Sequence, residues 1–133
     1  MTSSLNMSNR AAFVEREKGP VIVRNAEISE PGEGEVLIKV DACAIQPADA
    51  KVAKLAMIPV DYPGVVGGPV SGVVEALGAG VTKVAVGERV VSSTKVFVHK
   101  KAKYGGLQRF SIVDASEVIE VSSRIRRPSN TAD

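Results

Sequence analysis

The apolar runs of this 133-residue chain are short, and Gly, Pro, Asp and Asn repeatedly break them. Such punctuation leaves little room for a long amphipathic helix and calls for many short strands joined by turns. The candidate strands are Ala11 to Glu15, Val21 to Ile28, Glu35 to Ile45, Val70 to Leu77, Arg89 to Val91, Val96 to His99, Leu107 to Val113 and Val118 to Val121. Three turn clusters between them, Glu30-Pro31-Gly32-Glu33-Gly34, Gly78-Ala79-Gly80 and Tyr104-Gly105-Gly106, supply residues tolerant of positive φ. Regular spacing of this kind favours a barrel or sandwich over a βαβ layout, so the expected fold class is mainly β.

In the third run Val36, Ile38, Val40, Ala42 and Ala44 alternate with Lys39 and Asp41, which predicts a half-buried strand whose apolar face lines the core. One short helix is predicted over Ala48 to Leu55. Pro47 suits its first position, and Asp49 complements the positive end of its dipole. Residues 1–9 and 122–133 carry little that is apolar. The expectation is therefore a disordered N-terminus, one barrel domain over 10–121 and a disordered basic tail, SSRIRRPSNTAD.

Composition limits the partners. Seventeen basic and fifteen acidic side chains give a net charge of +2, too small for a molecule shaped around nucleic acid or an anionic membrane. Lys100, Lys101 and Lys103 beside Tyr104 read as a solvated loop. No apolar run approaches the ~20 residues that span a bilayer. The N-terminus shows neither signal-peptide nor transit-peptide character, so the chain reads as soluble and cytoplasmic. A hydrophobic content of 44% supports one core. The single cysteine, Cys43, excludes an intrachain disulfide, and with the single histidine, His99, it cannot complete a zinc site. Cys43 between two alanines reads as a small hydrophobe, and His99 among lysines as a loop or strand-end residue.

Four segments in order carry a resemblance. They are Glu33 to Val40, Ala44 to Lys51, the stretch from Pro63 to Val91 and Gly105 to Val113. Together they resemble the N-terminal, GroES-like barrel domain of the medium-chain dehydrogenase/reductase superfamily, over about Ala11 to Val121. Zinc members of that family have Gly-His-Glu where this chain has Gly67, Gly68 and Pro69, and a cysteine where it has Gln46. Gln46-Pro47 is similar to the Asn-Pro of the quinone- and enoyl-reductase branch, so the resemblance implies no metal. A neutral amide is also a poor zinc ligand.

Lys51 resembles the lysine of the Asn-Pro-x-Asp-x-Lys loop in fungal trans-acting enoyl reductases. The resemblance implies that Lys51 stabilises negative charge on a thioester carbonyl oxygen, that Gln46 orients nicotinamide ribose or substrate, and that Asp49 braces the loop or Lys51 itself. From the residues alone, Lys51 and Lys54 read instead as a solvated helix face, with Asp49 serving the helix start.

The family's cofactor, NADP(H), is held by a Rossmann domain, and no G-x-G-x-x-G stands between a strand and a helix here. Binding of NADP(H) by this chain alone is therefore not expected. The reading that follows is the substrate-side domain, truncated, of a zinc-independent NADP(H)-dependent enoyl- or quinone-reductase-type oxidoreductase acting on a small molecule or acyl thioester. The alternative is a non-catalytic interaction module that self-associates or binds a partner through the exposed domain interface. A co-chaperonin is a weaker alternative with the same topology.

Overall fold

The computed structural model describes residues 8–121. The N-terminal residues 1–7 and the expected basic tail lie outside them. The described residues form eight strands: β1 (Asn9–Val14), β2 (Val21–Ala26), β3 (Glu35–Cys43), β4 (Gly64–Val65), β5 (Val70–Leu77), β6 (Arg89–Ser92), β7 (Phe110–Asp114) and β8 (Val118–Glu120). Two short helices, α1 (Pro47–Ala53) and α2 (Val96–His99), complete the main elements. All strand pairs are antiparallel, in a three-stranded sheet β2-β1-β4 and a five-stranded sheet β7-β3-β5-β6-β8. The mainly β reading of the sequence holds.

The five-stranded sheet cannot be flat. Its edge strands β7 and β8 are joined by only three residues, Ala115–Glu117. A link from Asp114 to Val118 reaches at most about 15 Å. Across a flat five-stranded sheet those residues would stand at least about 19 Å apart. The sheet therefore curls until its edges approach. Val36, Ile38, Val70, Val74, Val84, Val90, Val113 and Val118 fill the space inside, with every strand of the sheet contributing. Leu37 points out of the curl, yet it too is buried, packed with Val96, Tyr104, Phe110 and Ile112.

Two features depart from the sequence reading. The register slips between Val40 and Ala42, so Asp41 has no partner on β5 and Ala42 turns to solvent. Val96–His99 is a helix, although its residues suit a strand. Lys95 O accepts from both Val98 N (3.0 Å) and His99 N (2.8 Å), and Val96 alone of the four is buried, against Leu37 and its neighbours. Tertiary packing overrides local β-propensity there.

A backbone crossing ties the two sheets together. Ala12 N donates to Leu107 O, Arg109 N to Arg10 O, and Leu107 N to Val66 O. At this crossing a Cβ on Gly105 would lie 2.0 Å from Val65 O, and one on Gly67 would lie 2.5 Å from Leu107 N. Gly105 has φ of −79°, so close approach and not a positive φ demands glycine here. Gly34 and Gly80, at φ of +73° and +79°, serve turns as the sequence predicts. Asn9, assigned to the polar leader from sequence, is the first residue of β1 and is buried. It donates to Gln108 Oε1 and accepts from Phe110 N, each at 3.0 Å.

Candidate functional site

The three residues singled out by sequence meet at the start of α1. Gln46 is the exposed residue just before the helix, Pro47 opens it, and Asp49 lies within its first turn. Asp49 is only 4% exposed, and both of its oxygens are engaged. Oδ2 accepts from Gln46 N at 2.8 Å, closing the first helical turn, and Oδ1 accepts from Gly67 N at 2.9 Å. A buried carboxylate held by two backbone N–H groups is a rigid brace. Asp49 thus joins the helix start to the segment Val66–Pro69, eighteen residues away in sequence. Lys51 stands one turn later, exposed, and among the described residues it takes part in no ion pair.

The partner segment lies very close. Gly68 N donates to Ala44 O at 3.0 Å, and Ala44 N to Pro69 O at 2.8 Å. A Cβ on Gly68 would stand 2.6 Å from Gln46 Cγ and 2.7 Å from Ala44 O. Gly68 is therefore the seat on which the Gln46 side chain rests. Thr94, a residue without a sequence motif, closes the arrangement from the other side by donating to Gly67 O at 2.6 Å. Three exposed apolar side chains flank α1: Ile45 before it, Leu55 and Met57 after it.

A zinc ion needs three or four Cys, His or carboxylate ligands, and the residues here do not fit one. Among the described residues no three such side chains converge. Asp49 is spent on two amides, and Gly68 offers no side chain. Cys43 packs partly buried against the interior of the curled sheet. Burial pushes its thiol pKa up and the Asp49 carboxylate adds to the push, so Cys43 is a poor thiolate. A nicotinamide cofactor fits no better: its cradle is a parallel βαβ unit, and every pairing among the described residues is antiparallel.

His99, expected in a loop or at a strand end, closes α2. Its ring packs 4.5 Å from Tyr104, and Nε2 is 3.6 Å from Asp114 Oδ2. An open cavity of about 480 Å³ lies between β1–β2 and the 102–108 stretch, lined by Phe13, Arg24, Glu27, Lys103 and Gln108 among others.

Residues 32–123 match the alcohol dehydrogenase GroES-like domain. The chain belongs to this family. As a GroES-like domain it is 31% identical over 121 residues to the zinc-binding alcohol dehydrogenase domain-containing protein cipB of Emericella nidulans, covering 90% of this chain and 38% of that protein. It is 33% identical over 120 residues to the trans-enoyl reductase tazE of Aspergillus terreus, covering 86% and 40%. The cobalt- and zinc-bound thermostable alcohol dehydrogenase of Pyrobaculum aerophilum superposes with a TM-score of 0.75 at 25% identity, over 88% of this chain and 42% of that one. The GroES-like domain thus spans about two fifths of these relatives. None of its described helices is long and apolar enough to cross a membrane.

Proposed function

We propose that this GroES-like domain is the substrate-side wall of a zinc-independent, NADP(H)-type oxidoreductase of the enoyl- or quinone-reductase kind. One observation carries the reading: Asp49 and the Gly67–Gly68 backbone fix Gln46 at the mouth of α1, one turn from an exposed Lys51, where zinc relatives would need ligands. The likeness to a trans-enoyl reductase supports it. In this role the Lys51 ammonium and the Gln46 amide are donors for a carbonyl oxygen that gains negative charge as an enoyl thioester is reduced. Donors already in place lower the cost of that charge. Ile45, Leu55 and Met57 offer the acyl chain an apolar bed. The redox step itself belongs to a nucleotide-binding domain outside the described residues.

The same apolar trio would also serve a non-catalytic module that binds a partner chain. Titrating the isotope-labelled chain with a crotonyl thioester separates the readings. Shifts at Gln46, Lys51 and Met57 are expected, while a thioester that leaves these amides unmoved rejects the substrate role. Titration calorimetry with NADPH should show no binding, and micromolar affinity would overturn the division of labour. Stoichiometric, chelator-sensitive zinc in the purified protein would overturn the zinc-free assignment.

A further inference from the structure

Thr94 lies between β6 and α2, and no motif marks it. Its hydroxyl reaches Gly67 O at 2.6 Å and Gly68 O at 3.2 Å. One proton serves both carbonyls, with the nearer taking most of it. From the other side, Gly67 N donates to Asp49 Oδ1, and Asp49 Oδ2 accepts from Gln46 N. Gly68 in turn lies so close under Gln46 that a Cβ there would come within 2.6 Å of Gln46 Cγ. The Gly67–Gly68 unit is therefore held between a hydroxyl and a carboxylate, and Gln46 rests on it.

We propose that Thr94 is a positioning residue for Gln46, acting through the Gly67–Gly68 backbone. Glycine at both positions makes the coupling necessary. Without side chains to pack, this backbone is held in place only by its hydrogen bonds and by the crossing chain. Thr94 is suited to the task because a β-branched side chain has few χ1 choices, which fixes the direction of its hydroxyl. Valine keeps that shape and loses the donor, whereas serine keeps the donor. The importance of Gln46 rests on the function proposed above, but the coupling itself does not.

The test uses the full isotope-labelled chain and its T94V and T94S variants, read by NMR at the Gln46 side-chain amide and at the Gly67 and Gly68 amides. In T94V all three signals should move, and exchange of the Gly67 amide proton should quicken about fivefold, the size expected for one lost hydrogen bond. T94S should restore both readings. Amides of β2, on the outer edge of the three-stranded sheet, report that the fold persists. A folded T94V with unchanged Gln46 signals overturns the proposal, as does failure of serine to restore them. Should T94V not fold, the native protein decides: the Thr94 hydroxyl proton should be protected from exchange and show contacts to the Gly68 Hα protons. A hydroxyl exchanging at the solvent rate would sink the idea. Failure of the reductase reading would instead appear as a thioester that leaves Gln46 unmoved, with these outcomes intact.

Discussion

The curled five-stranded sheet and the β2 edge of the three-stranded sheet use the same kind of residue and treat it in opposite ways. Val36, Ile38, Val74 and Val90 are at most 1% exposed, whereas Val21, Ile22 and Val23 of β2 are 45%, 43% and 58% exposed. Both stretches are rich in β-branched residues, and both pair in antiparallel ladders. What differs is closure. A sheet that curls on itself covers its own inner face, while β2 has a neighbour on one side only. Side-chain type therefore settles that a strand forms, and topology settles whether burial rewards it.

The largest expected effect lies at the crossing that joins the two regions. Gly105→Ala places a methyl group against Val65 O, where neither backbone can yield, and should destabilise the domain by more than about 3 kcal/mol. Loss of the cooperative urea transition would register it. Next comes the comparison itself. Ile38→Ala inside the curl should cost about 2–5 kcal/mol, and Ile22→Ala in β2 under about 1 kcal/mol. Equal costs in urea unfolding would mean that β2 is covered in solution.

Tyr104→Phe, on the outer face of the curl, should cost about 1–3 kcal/mol at neutral pH, because the 2.6 Å hydrogen bond from its hydroxyl to Glu35 Oε2 is lost. It should also change the pH profile. Burial first, and then that hydrogen bond, push the Tyr104 hydroxyl pKa up to about 12. Folding favours the protonated phenol, so this stabilisation is complete below the ordinary phenol value of about 10 and is lost as pH rises through about 12. Glu35 behaves oppositely. Burial works to raise its pKa, but hydrogen bonds from Tyr104 and Gly32 outweigh it and hold the carboxyl below its usual range. Its contribution is present above the ordinary value of about 4.3 and is lost as pH falls through the lowered one. The phenylalanine variant should lack the alkaline loss in thermal melts and show a weaker acid one. The smallest effect belongs to Lys51→Ala. This exposed side chain should leave the unfolding midpoint unchanged while abolishing the thioester shifts at Gln46.

Alternation and turn residues made most of the strands legible in the sequence, because both signals are local. Asp49 at the helix start could be read for the same reason. The rest depended on contacts between distant segments. Nothing near Asp49 announces that its second oxygen holds Gly67, and nothing near Thr94 announces that its hydroxyl faces the same glycine from behind. The Val96–His99 helix was hidden because its residues favour strand, and only the docking of Val96 settles its form. Gly105 looked like a turn glycine, and the reason for it lies forty residues upstream at Val65.

The three-residue link between β7 and β8 also sets an order of events. The curl is completed by the strand that leaves the ribosome last among those described, since β8 pairs only with β6 and brings Val118 to the interior. Until residue 118 has emerged, β6 has a bare edge and the valines around it stay open to water. A nascent chain paused between Asp114 and Val118 would carry a nearly finished sheet with one seam unsealed, and β6 would be the edge a chaperone or a neighbouring nascent chain could meet.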